Sequence, residues 1–77
     1  MRIEINEYIV ADTEICGGTP IFKGTRIMVW QVLEMLQSGE TIDEILENYP
    51  SLTKEHIKAA LGFAAQKLSN QKLVLTD

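Results

Sequence analysis

At 77 residues and 8.7 kDa the chain has room for one domain and no more. A chain of this size buries only about 60% of its unfolded surface, so its core is thin. One cysteine rules out an internal disulfide, and Cys16 with His56 is too small a supply for a structural zinc site. Tight helix packing or oligomerisation remains as the way to stabilise so small a scaffold, and we expect a homodimer. With 45% apolar and 23% charged residues, the composition is that of a folded domain rather than a disordered one.

The net charge of −4 argues against non-specific nucleic-acid or membrane binding, which runs on phosphate neutralisation. The charge is also uneven. Residues 29–50 hold five acidic groups and no basic one, whereas residues 51–77 hold four basic and two acidic groups. Any DNA-facing surface must therefore come from the last third or from Lys23 and Arg26. Met1 to Val10 alternates charged and apolar residues, and no apolar run approaches the length of a membrane span. The expectation is a cytoplasmic protein with no membrane partner.

In chain order, Ile3, Ile5 and Ile9 fall at odd positions, which predicts a half-buried N-terminal strand with Glu7 interrupting its apolar face. Cys16-Gly17-Gly18-Thr19-Pro20 is dense in turn residues. Ile21-Phe22 and Ile27 flank a tip containing Gly24, which suggests a small hairpin or an irregular extended loop. This segment is too small to form a sheet that survives alone in water, so it must pack on helices or on a second chain.

The rest reads as helical. Val29, Val32, Leu33 and Leu36 have the spacing of one buried helix face, and Gly39 stops that helix. Thr41 with Glu44 is a capping box, and Ile42, Ile45, Leu46 and Tyr49 form the next stripe up to Pro50. Thr53 is the third N-cap, with Leu52 and Ile57 as a hydrophobic staple. Ile57, Ala60, Leu61, Ala64, Ala65 and Leu68 make a stripe along the longest helix, for which Asn70 is a plausible end. The expected fold is mainly α: a three-helix, helix-turn-helix (homeodomain-like) domain preceded by a short strand and a β-hairpin-like segment. It divides into an arm (1–28), a three-helix core (29–69) and a C-terminal tail (70–77).

The segment Ile15-Cys16-Gly17-Gly18-Thr19-Pro20-Ile21-Phe22-Lys23-Gly24-Thr25-Arg26-Ile27 resembles the signature of the prokaryotic domain-of-unknown-function family 433. The likeness continues through Leu36-Gln37-Ser38-Gly39-Glu40-Thr41-Ile42, Tyr49-Pro50-Ser51-Leu52-Thr53 and Ile57-Lys58-Ala59-Ala60-Leu61, and covers roughly residues 10–66. Met28 stands where the family pattern often has proline. The resemblance implies a VapB-type antitoxin with a homeodomain-like fold, of the kind often paired with PIN-like ribonuclease toxins. On that reading the acidic block of residues 29–50 is steered towards the basic RNA-holding surface of the toxin.

Catalysis has little to stand on. Cys16 and His56 sit on different elements with no third group to orient the histidine, and the glutamates Glu40, Glu44 and Glu47 read as a solvated acidic face. Lys23-Gly24-Thr25 has the wrong order and flanks for a phosphate loop. We expect no enzyme, no cofactor, no metal and no small-molecule substrate.

Binding residues are easier to nominate. If the third helix reads operator DNA, its exposed N-terminal candidates are Thr53, Lys54, His56 and Lys58. For a dimer or partner interface the candidates are Ile21, Phe22 and Arg26, with Trp30 and the tail residues Leu73, Val74 and Leu75. Each has a plainer alternative: Arg26 ties the loop to a helix end or to Glu34, Trp30 fills the core, and the tail frays. Three functions follow. The first is an antitoxin-like module that neutralises a ribonuclease and represses its own promoter. The others are a stand-alone helix-turn-helix regulator and a structural dimerisation domain.

Overall fold

A computed structural model describes residues 1–69. Its elements are β1 (Arg2–Glu4), β2 (Ile9–Asp12), a 3-10 turn (Cys16–Gly18), β3 (Ile21–Phe22), α1 (Val29–Gln37), α2 (Ile42–Asn48) and α3 (Lys54–Ser69). The architecture is mixed and helix-rich, with three helices and one three-stranded antiparallel sheet of order β1-β2-β3.

Where the sequence suggests one N-terminal strand, the structure has two, β1 and β2. The Asn6 side-chain oxygen accepts from the amides of Tyr8 (2.8 Å) and Ile9 (3.0 Å) and folds the chain back on itself. Glu7 therefore sits in a turn between two strands, which is why it interrupts the alternation. β1 is the exposed edge, with Ile3 half in solvent, so the half-buried face starts only at β2. Ile9 pairs with Phe22 and Val10 with Ile21, and all four are buried. Ile9 and Phe22 join the core beneath the helices. Val10 and Ile21 are one residue out of phase and take the opposite face. Past β3 the chain turns at Gly24 and returns: the Phe22 amide donates to the Ile27 carbonyl (3.0 Å) and Ile21 bridges to Met28. The expected hairpin-like segment is there, and it packs on helices of its own chain.

Each helix begins and ends on a local signal. α1 starts at Met28, whose amide donates to the Gln31 side-chain oxygen (3.2 Å). It stops in a Schellman turn: the Glu40 amide donates to Met35 (3.1 Å), the Gly39 amide to Leu36 (3.1 Å), and Gly39 takes φ +100°. In α2 the Glu44 amide donates to the Thr41 hydroxyl (3.2 Å) and the Thr41 amide to the Glu44 carboxylate (2.9 Å), a complete capping box. That bond to the Thr41 backbone is the main reason the Glu44 carboxyl sits below the usual carboxylate range, with a second contribution from the Thr41 hydroxyl. Leu52 and Ile57 both enter the core at the start of α3, as the staple requires.

The core is Ile9, Phe22, Val29, Val32, Ile45, Leu52, Ile57 and Ala60, with Tyr8, Leu33, Leu36 and Tyr49 among the half-buried residues packed on it. The third stripe departs from expectation. Ile57 and Ala60 are buried, but Leu61, Ala65 and Leu68 are exposed. The cause is rotation: Leu61 follows buried Ala60 by one residue, about 100° round the helix, and Ala65 and Leu68 share its side, whereas Phe63 further along packs on the core. Asn70, the expected end of α3, lies outside the described residues.

Candidate functional site

Trp30 sits one residue into α1, at the edge of the buried stripe that Val29 and Val32 form. Half of it (50%) is exposed, so of its two readings the structure removes that of core filler. Its indole Nε1–H donates to the Met28 sulfur at 3.3 Å, which fixes the ring and leaves its apolar surface outward.

A concavity flanks the ring on each side. One, of about 330 Å³, runs along the outer side of α1 and is lined by Trp30, Gln31, Glu34, Met35, Ser38 and Tyr49. Glu34 is its charged wall residue; Glu34, Asp43, Glu44 and Glu47 are all exposed on α1 and α2, and residues 29–50 include no basic residue. The other, of about 280 Å³, lies between the start of α1 and the second half of α3, with Pro20, Trp30, Leu33, Phe63, Ala64 and Leu68 in its walls. It is almost wholly apolar. Lys67, whose ammonium stands 5.9 Å from the Phe63 ring centroid, is its charged margin.

The DNA-reading candidates divide. Thr53, Lys54 and Lys58 are exposed at the start of α3, on the solvent side of a connection running from Tyr49 to Thr53 after α2. His56 does not belong with them. Its Nδ1 accepts from the Thr53 amide (3.0 Å) and lies 2.9 Å from the Thr53 hydroxyl. Its ring packs against Tyr8 (4.7 Å between centroids) and edge-on to Phe22 (5.7 Å). It is a capping and packing residue, filling at the third helical position the role that Glu44 fills in α2. With Nδ1 occupied it is also not free to act as a base towards Cys16, which lies in the 3-10 turn at φ +51°.

The interface candidates divide too. Ile21 and Phe22 are buried within their own chain and offer no surface to a partner, Phe22 in the core beneath the helices and Ile21 on the opposite face of the sheet. Arg26 is exposed. Among the described residues it makes no ion pair, so the expected tie to Glu34 is not formed; the pairs present are Lys23–Glu4 (3.1 Å) and Arg2–Glu4 (3.8 Å). Leu73, Val74 and Leu75 lie outside the described residues. Sequence reasoning missed Met35, Tyr49 and Phe63 as wall residues. The spacing Ile57, Ala60, Phe63 was the available signal for the last. Among the described residues no three acidic, histidine or cysteine side chains gather as a metal site, Glu40, Glu44 and Glu47 included. No described helix is long and apolar enough to cross a membrane.

Comparison with known proteins bears on family only. A protein of Sinorhizobium fredii (strain NBRC 101917 / NGR234) described as "Uncharacterized protein y4eO" is 35% identical over 72 residues, which is 92% of this chain and 33% of that protein. The chain thus spans about a third of the length of the curated relative it matches. No solved structure matches. The family described as "Protein of unknown function (DUF433)" matches residues 9–64, most of the described fold from β2 to the middle of α3. The chain belongs to the DUF433 family.

Proposed function

We propose that this chain is an antitoxin-like binding module whose acidic α1–α2 face, centred on Trp30, covers the basic RNA-holding surface of a PIN-like ribonuclease. The observation that carries this reading is an exposed, hydrogen-bonded tryptophan beside a pocket whose charged wall residue is Glu34, on a stretch (29–50) with five carboxylates and no cation in sequence. Tryptophan is the residue type most enriched among the few that dominate binding energy. A single-sign field around it speeds association with an oppositely charged partner and does little for a neutral one.

Operator binding is the second half of the proposal. In that reading α2, the Tyr49–Thr53 connection and α3 act as a helix-turn-helix, and Thr53, Lys54 and Lys58 meet the DNA. A dimer would bring about four lysines, giving a salt slope of roughly −4. Glu55 and the acidic helices oppose closer contact, so the isolated protein binds DNA weakly and the complex with its partner binds it better. The competing reading as a stand-alone regulator reverses that order.

Affinity purification from the host at moderate salt tests the proposal. The expected eluate holds a stoichiometric basic protein that cleaves RNA once released, and both Trp30→Ala and Glu34→Lys lose it. Recovery of the same ribonuclease by those variants would remove this face from the mechanism. Recovery of the bait alone would end the antitoxin reading.

A further inference from the structure

α3 carries an apolar face that the other described residues leave uncovered. Leu61 is 46% exposed and Leu68 70% exposed; Ala65 is exposed between them and Ala64 half-buried beside them. On a helix these four positions fall within an arc of about 100°. They also have a symmetry that the core stripe lacks. The pattern Leu-x-x-Ala-Ala-x-x-Leu reads the same in both directions about the midpoint between Ala64 and Ala65.

We propose that this face is the dyad contact of a homodimer, in which α3 of one copy packs antiparallel on α3 of a second copy of this chain. A two-fold interface is self-complementary: whatever residue i meets on the partner, the partner's residue meets on it. Centring the dyad between Ala64 and Ala65 sets each Leu61 on the other copy's Leu68 and each Ala64 on the other copy's Ala65. Large residues then fall on large at both ends, and small on small at the crossing, where the axes must come within about 8–10 Å. Gly62, on the flank of the crossing, faces open space among the described residues.

Two further observations favour a second copy over another occupant. The apolar groove beside the stripe shares Ala64 and Leu68 with it, and its far lip is Trp30. A seam of two helical turns falls short of the about 800 Å² per partner of a standard interface, so the contact takes in the Ala64–Leu68 side of that groove and stops short of the Trp30 lip. Moreover, the chain has one cysteine, and its described residues hold no metal cluster, which leaves association as the means to extend a thin core. The dimer is weak, in the micromolar range, and does not depend on the proposed role of the acidic face.

The register makes the test specific. Sedimentation equilibrium of the full chain is measured from micromolar to millimolar concentration for wild type, Leu61→Lys, Leu68→Glu and the double variant. Both positions are exposed, so the far-ultraviolet circular dichroism of all four stays the same. Wild type is expected to dimerise, each single variant to weaken dimerisation at least roughly tenfold, and the double variant to recover much of the loss. In the double variant each introduced ammonium faces an introduced carboxylate across the dyad. A wild type that stays monomeric throughout, as it would if residues 70–77 covered the stripe, overturns the proposal. So does a dimer indifferent to the single substitutions, or a double variant no better than either single one.

Discussion

Two sides of α3 carry similar apolar residues and lead different lives. One side is tied down at its cap by Thr53 and His56 and buries Ile57 and Ala60 completely. The other is turned away from the core and holds Leu61, Ala65 and Leu68 exposed. Helical periodicity marks one continuous stripe through both. What it cannot mark is how much of that arc the neighbouring elements reach. The difference teaches that a stripe is a demand for cover, met here by the chain's own core on one side and, on our proposal, by a second copy on the other.

The comparison breaks most directly at Ile57. Ile57→Ala leaves a cavity under the sheet and should cost about 2–5 kcal/mol in urea denaturation. Leu61→Ala or Leu68→Ala, measured at concentrations where the protein is monomeric, should stay within about 0.5 kcal/mol of wild type. Equal losses at the three sites would mean that the two sides are not distinct.

The cap comes next. His56→Ala removes the acceptor for the Thr53 amide and the packing against Tyr8 and Phe22, an expected loss of about 1–2 kcal/mol. His56→Gln restores an acceptor but not the ring, and should fall between the two. An alanine variant as stable as wild type would return His56 to the pool of surface residues open to a DNA role.

The smallest effect sharpens the same contrast at α2, where the box closes on a carboxylate instead of a ring. Folding lowers the Glu44 pKa, so its contribution is complete above the ordinary glutamate value and fades as pH falls through the lowered one. Glu44→Gln should remove that acid-side slope from the stability curve while leaving the neutral-pH value nearly unchanged, since the site is fully exposed. The same slope in both proteins would assign it to other carboxylates.

Legibility in the sequence followed locality. The Thr41–Glu44 box, the Gly39 stop and the Leu52–Ile57 staple each lie within six residues, and all three were readable. The sheet was only partly so, because its pairs join Ile9 to Phe22 and Val10 to Ile21, distant in sequence. Its first turn carries neither glycine nor proline, and rests on the Asn6 side chain. Ile21 and Phe22 looked like an exposed patch because their place in a sheet beside β2 was not visible. Trp30 was identified as a candidate, but its exposure depends on where α3 passes, a tertiary fact. His56 was misplaced because a histidine in a first turn looks the same whether it caps or reaches outward.

Native mass spectrometry of the assembly purified from its host at moderate salt tests both surfaces of the account at once. The account expects two copies of this chain bound to a basic ribonuclease, the copies joined through α3 and the partner seated on the Trp30 face. A single copy with no protein partner would contradict it.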